Sequence, residues 1–164
     1  MRLIKLGLLS VFFLFLVVTA ISLLIPPEIR ISKAINIYGQ TDSIFSLIND
    51  TSKWKQWHPA FIPNDSLEVF PALHILKKSQ NDSELVMHLQ QLGKPVVING
   101  WKIYKYSNVD SLTLQWYMDF HLKWYPWKKF GSLFFEKTYG VMMEQGLDSL
   151  KKKVEKYFNP NQSF

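Results

Sequence analysis

Four histidines, His58, His74, His88 and His121, are the groups in this 164-residue chain best suited to proton transfer near neutral pH. Asp119 and His121 are two apart, which places both on one face of a strand, where a carboxylate could orient an imidazole. That face is the polar one, and no nucleophile or third partner accompanies the pair. His74 and His88 would oppose each other if a hairpin turned near Asn81. Two imidazoles without a carboxylate make a poor metal site, so both are expected at the surface. Cysteine is absent, which excludes thiolate ligands and thiol nucleophiles. No glycine-rich phosphate loop, Gly-x-Ser-x-Gly or His-Glu-x-x-His motif occurs. The sequence therefore assigns no catalytic residue, no metal site and no cofactor.

What remains is apolar chemistry. Met87, Trp116, Met118, Phe120 and Met143 fall on faces expected to turn inward. Asn99, Tyr139 and the Trp116 indole N–H are the polar groups placed among them. A few polar groups in an apolar pocket fix a ligand's orientation. In a filled core the same groups would satisfy one another, and periodicity does not separate the two outcomes. Met87, Asn99, Trp116, Met118, Phe120, Tyr139 and Met143 are the candidate cavity set.

These residues need elements to hold them. Residues 28–38 alternate, with Ile29, Ile31, Ile35 and Ile37 on one face, so a half-buried strand is predicted. Lys33 interrupts that face and is expected where the strand leaves the core or beside a bulge. A turn at 39–42, with Thr41 or Asp42 as N-cap, leads to a short helix carrying Ile44, Phe45, Leu47 and Ile48. A second short helix, 53–57, is capped from residues 49–52 and ended by Pro59. Trp54 and Trp57 share one of its faces, either plugging one end of a sheet or forming the rim of a cavity.

Residues 67–70, 73–77, 83–90, 96–106 and 112–122 read as strands. A bend is expected at Pro71-Ala72 and a bulge at Asn99-Gly100. The clearest is 112–122, with Leu112, Leu114, Trp116, Met118, Phe120 and Leu122 on one face. Residues 132–158 read as one helix with a stripe of Tyr139, Met143, Leu147, Leu150, Val154 and Phe158. Gly140 and Gly146 inside it imply close backbone approach or open space above the sheet. An apolar sheet face covered by an apolar helix stripe is a two-layer α+β domain.

The net charge of +6 is concentrated in lysine runs at 128–129 and 151–153, which are expected to be solvated faces. Glu144, Asp148 and Glu155 offset the second run, and Asp148 precedes Lys152 at the favourable i,i+4 spacing. Basic and aromatic residues are not interleaved on one face, so no nucleic-acid partner is expected. Six tryptophans is a high count for this length, and such rings fill wide spaces or line pockets.

Residues 6–25 carry no charge, and at about 1.5 Å per residue they match a hydrocarbon core of about 30 Å. Pro26-Pro27 ends the run. A cleaved signal peptide would have a shorter apolar region than this one, which continues beyond Ala20. An uncleaved single-pass anchor within residues 1–28 is the preferred reading, followed by one domain over 29–164. Arg2, Lys5 and the amino terminus outweigh Arg30 and Lys33, which places the N-terminal side in the cytoplasm and the domain in an extracytoplasmic or periplasmic space.

Residues 31–37, then 41–50, then Trp54-x-x-Trp57-x-Pro59 resemble the opening of the START/Bet v 1-like superfamily, whose bacterial branch is called polyketide cyclase/dehydrase or SRPBCC. The ending Gly140-x-x-x-Glu144-x-Gly146-Leu147-x-x-Leu150-Lys151 is similar to that branch's last helix. The resemblance covers nearly all of residues 29–158. It implies a helix-grip fold, in which a curved antiparallel sheet of about seven strands wraps a long C-terminal helix around a hydrophobic ligand cavity. It carries over no catalytic residue. The expected protein is a membrane-anchored binder of a lipid or other hydrophobic small molecule. Two alternatives stay open: a cyclase/dehydrase-like enzyme using cavity polar groups, and an envelope interaction module with a filled core.

Overall fold

Alternating apolar and polar residues build an antiparallel sheet, and a computed structural model describes it within residues 2–61, 73–106 and 111–158. Its described strands are β1 (Glu28–Tyr38), β2 (Leu73–Gln80), β3 (Glu84–Gln91), β4 (Val97–Lys105) and β5 (Ser111–His121), in the order β1-β5-β4-β3-β2. The described sheet thus has five strands rather than about seven. The strand expected at 67–70 lies outside the described residues. The helices are α1 (Arg2–Leu23), α2 (Thr41–Asn49), α3 (Pro126–Ser132) and α4 (Val141–Phe158). Two 3-10 turns, Thr51–Gln56 and Pro59–Phe61, follow α2, and a π turn, Glu136–Gly140, leads into α4.

The inner face of the sheet carries the expected set. Ile31 and Ile37 of β1, Leu85 and Met87 of β3, Trp101 and Ile103 of β4, and Leu112 through Phe120 at alternate positions of β5 are buried. α4 covers them with Met143, Leu147, Leu150 and Val154, the predicted stripe. Burying each such side chain contributes about 1.5–3 kcal/mol. Trp54, Trp57, Trp101 and Trp116 are fully buried. The first pair shares a face because residues three apart eclipse in a 3-10 turn. Their indole N–H groups donate to the carbonyls of Ile48 and Leu47, so the short turn is bolted to the end of α2.

The two glycines of the last helical region are points of contact, not of open space. A Cβ on Gly146 would lie 2.7 Å from the Trp116 ring, and one on Gly140 would lie 2.9 Å from Glu136 Oε1 and 3.1 Å from Lys33 Cε. Lys33 stands in mid-strand opposite Trp116, not at a strand exit or bulge. Its ammonium reaches Glu136 Oε1 at 2.6 Å and Glu144 Oε1 at 2.7 Å, which ties β1 to the start of α4 and raises its pKa.

Several local expectations are corrected. The helix predicted over 132–158 is interrupted: Pro126 opens a separate α3, and i→i+3 turns at Leu133 and Phe134 precede the π turn. Gln40 stands at the N-cap of α2 without a side-chain bond, while Thr41 is already helical and its Oγ1 is buried without a partner among the described residues. The Asp50 carboxylate does cap the next turn, accepting from Ser52 N–H at 3.1 Å. β4 pairs without a register shift, and the irregularity falls in β2 between Lys77 and Ser79. Gly100 instead admits the Tyr117 ring, which a Cβ would meet at 2.1 Å. Among the described residues the ion pair on α4 is Lys151–Glu155, not Asp148–Lys152.

Candidate functional site

A cavity of about 520 Å³ lies between the inner face of the sheet and the segment entering α4. Its apolar wall comes mainly from four places, while Leu73, the 91–96 turn and the 121–128 segment, with Lys94, Lys123 and Lys128, line its edge. β5 supplies Met118 and Phe120, β3 and β4 supply Leu89 and Val97, the second 3-10 turn supplies Phe61, and the final helical region supplies Phe135, Tyr139 and Met142. The wall is apolar because each strand contributes its inward alternate. The π turn Glu136–Gly140 carries Tyr139 at this wall and leads into α4. Phe120 and Tyr139 are in ring contact at 4.7 Å, as are Phe120 and Phe135. The volume falls within the roughly 300–1,000 Å³ of small-molecule sites. A wider groove of about 720 Å³ lies near α2 and the β2–β3 hairpin, lined by exposed groups such as Lys77, Lys78 and Asp82. A solvated polar groove cannot shelter an apolar ligand, so the smaller, apolar cavity is the candidate site.

Two ionisable groups of this wall are perturbed. His58 is 3% exposed and enclosed by aromatic rings: Trp54 stacks on it at 5.1 Å, and Phe61 and Trp116 meet it edgewise at 5.0 Å. Its Nδ1 accepts from Ala60 N–H at 3.2 Å, which puts the neutral ring's proton on Nε2. Burial pushes its pKa down to about 3, so the ring is neutral at physiological pH. The Tyr139 hydroxyl is raised above the usual phenol range by burial, and it makes no hydrogen bond among the described residues. Both are neutral donors on residues that line this cavity, suited to a ligand oxygen.

The seven candidate residues divide in two. Met118, Phe120 and Tyr139 line the cavity. Met87, Asn99, Trp116 and Met143 are buried in the packed part of the core, outside its lining. Asn99 Oδ1 accepts the Trp116 indole N–H at 2.5 Å, so these two polar groups satisfy each other, while Asn99 Nδ2 stays unpaired among the described residues. Sequence reasoning missed His58, Phe61, Phe135 and Met142. His58 directly follows Trp57, and its position inside an aromatic turn was the one available signal.

The remaining histidines do not assemble a site. Asp119 forms a bidentate pair with Arg30 at 2.6 and 2.7 Å, and His121 faces Glu28 at 3.1 Å. His74 and His88 pair with Gln90 and Leu76, so they are offset rather than opposed. No cluster of three metal-ligating groups exists among the described residues.

No protein-family model matches the chain, and no curated protein sequence does. Solved structures do. A START superfamily protein from Mycobacterium smegmatis matches with a TM-score of 0.52 and 19% identity, over 78% of this chain and 98% of its own. Norcoclaurine synthase from Thalictrum flavum matches at 0.52 and 14%, over 79% and 96%. The di-domain ARO/CYC protein StfQ of the steffimycin biosynthetic pathway matches at 0.61 and 12%, over 80% of this chain and 52% of that one. At these identities the likeness is one of fold. The chain has the α+β fold of START-like proteins, a curved antiparallel sheet with a C-terminal helix.

Proposed function

We propose that this protein binds a hydrophobic small molecule or lipid in the cavity beside Met118, Phe120, Tyr139 and Met142, and that α1 holds it in a membrane as a single-pass anchor. The observation carrying the first part is the apolar cavity of about 520 Å³, edged by two uncharged hydrogen-bond donors, His58 and Tyr139. Supporting the second is the apolar stretch Leu3–Leu23, with mean hydropathy 2.6 and few buried residues. The excess of basic residues before α1 favours a cytoplasmic N-terminus and an extracytoplasmic domain, periplasmic in a Gram-negative bacterium.

Binding without catalysis is the reading the site favours. A cyclase needs groups that exchange protons near neutral pH. Burial lowers the His58 pKa to about 3 and raises the Tyr139 hydroxyl above the usual phenol range, so neither exchanges protons there. Native mass spectrometry of the full chain released from detergent tests the proposal. An apolar ligand mass that accompanies the wild type and is lost in Met142→Trp supports it. A bare chain mass from every membrane preparation and every added lipid argues for a closed core and the interaction-module alternative.

A further inference from the structure

The strand ends around the cavity also mark an end of the molecule. Glu28 pairs with His121, Phe120 with Val97, Val97 with Leu89, and Gln91 with Leu73. The mouth between these strand ends therefore sits where β1 begins, with four residues between it and α1. Those four residues reach roughly 14 Å at full extension. Two bonds shorten the distance further. Lys129 Nζ donates to Ile25 O at 2.7 Å, and Leu122 N–H donates to Pro27 O at 2.7 Å.

This same end displays large apolar side chains that no core covers. Leu92 is 90% exposed, Phe134 67%, Trp124 65%, Leu133 64% and Trp127 60%. Tyr125 stacks on Trp127 at 5.1 Å. Exposed Lys94, Lys123 and Lys128 stand among them. The other four tryptophans are fully buried, so the exposed indoles are confined to this rim. Indoles and tyrosines interspersed with lysines are the composition that settles at a headgroup layer. Lysines there also attract anionic lipid.

We propose that this rim docks onto the bilayer surface beside α1, with Trp124, Trp127 and Phe134 in the interfacial layer and Lys94, Lys123 and Lys128 against anionic headgroups. The cavity mouth then opens onto lipid, and an apolar ligand passes between bilayer and protein without crossing water. The inference rests on α1 being an anchor.

Quenching by lipid tests it on the full chain, reconstituted in vesicles of phosphatidylcholine and phosphatidylglycerol with or without brominated acyl chains. Bromine quenches only indoles that touch lipid. Brominated lipid is expected to remove about a third of the emission, the share of two tryptophans in six. In the double variant Trp124→Phe, Trp127→Phe most of that loss is expected to vanish, with the melting temperature unchanged. A chain that resists carbonate extraction but shows equal emission in both lipids overturns the docked rim and leaves the anchor standing. A chain stripped by carbonate removes the anchor and the docked rim together.

Discussion

The enclosure of His58 by three tryptophans and Phe61 predicts a specific loss of stability in mild acid. In the unfolded chain this imidazole takes a proton below about pH 6.5. In the folded chain burial delays protonation to about pH 3. Between these values the unfolded state binds the extra proton, so stability is complete above the unfolded pKa and falls as pH decreases. The slope is about 1.4 kcal/mol per pH unit, which amounts to about 2 kcal/mol between pH 7 and pH 5. His58→Gln provides the comparison, because a glutamine carbonyl can still accept from Ala60 N–H and does not titrate. Denaturant unfolding of both proteins at a series of pH values, followed by tryptophan emission, isolates the effect. The wild type should lose about 2 kcal/mol more than the variant over this interval. Parallel stability curves would refute the buried neutral ring.

Other substitutions probe the packing around the site. Gly146→Ala gains about 1 kcal/mol of helix propensity but drives a methyl into a fully buried Trp116, a clash of about 1–3 kcal/mol, and a lowered denaturation midpoint is expected. Asn99→Ala leaves the Trp116 indole N–H buried without its acceptor, and a loss of about 1–3 kcal/mol is expected in the same assay. Met142→Trp occupies the cavity from its half-buried helical wall. It should weaken binding of a fluorescent fatty-acid probe at least about tenfold, a loss of about 1.4 kcal/mol, while the midpoint holds.

The fold was legible wherever one periodicity ran unopposed. Residues 112–122 and the stripe from Met143 to Val154 each repeat with a single period, and each became the expected strand or helix face. Legibility failed where tertiary contact outweighed local pattern. Lys33 reads as a fault in an apolar face because its partners, Glu136 and Glu144, lie about a hundred residues away in the chain. Gly100 resembles a bulge residue because the Tyr117 ring it admits belongs to the neighbouring strand. The cavity was only half visible for the same reason. Inward alternation groups Met87 and Trp116 with Met118 and Phe120. Of these four, Met118 and Phe120 line the space, and neither Met87 nor Trp116 does. His58 was missed because no period marks a residue lying between two 3-10 turns, and the Trp116 ring that helps enclose it belongs to a distant strand.

The central claim is that the space enclosed by Met118, Phe120, Tyr139 and Met142 holds an apolar molecule. An experimental density map of the full chain, purified from membranes without added ligand, measures this most directly. Continuous elongated density within van der Waals distance of those four side chains, with a polar end near the Tyr139 hydroxyl or the His58 ring, is the predicted result. Side chains closed across that space, or ordered water filling it, would contradict the account.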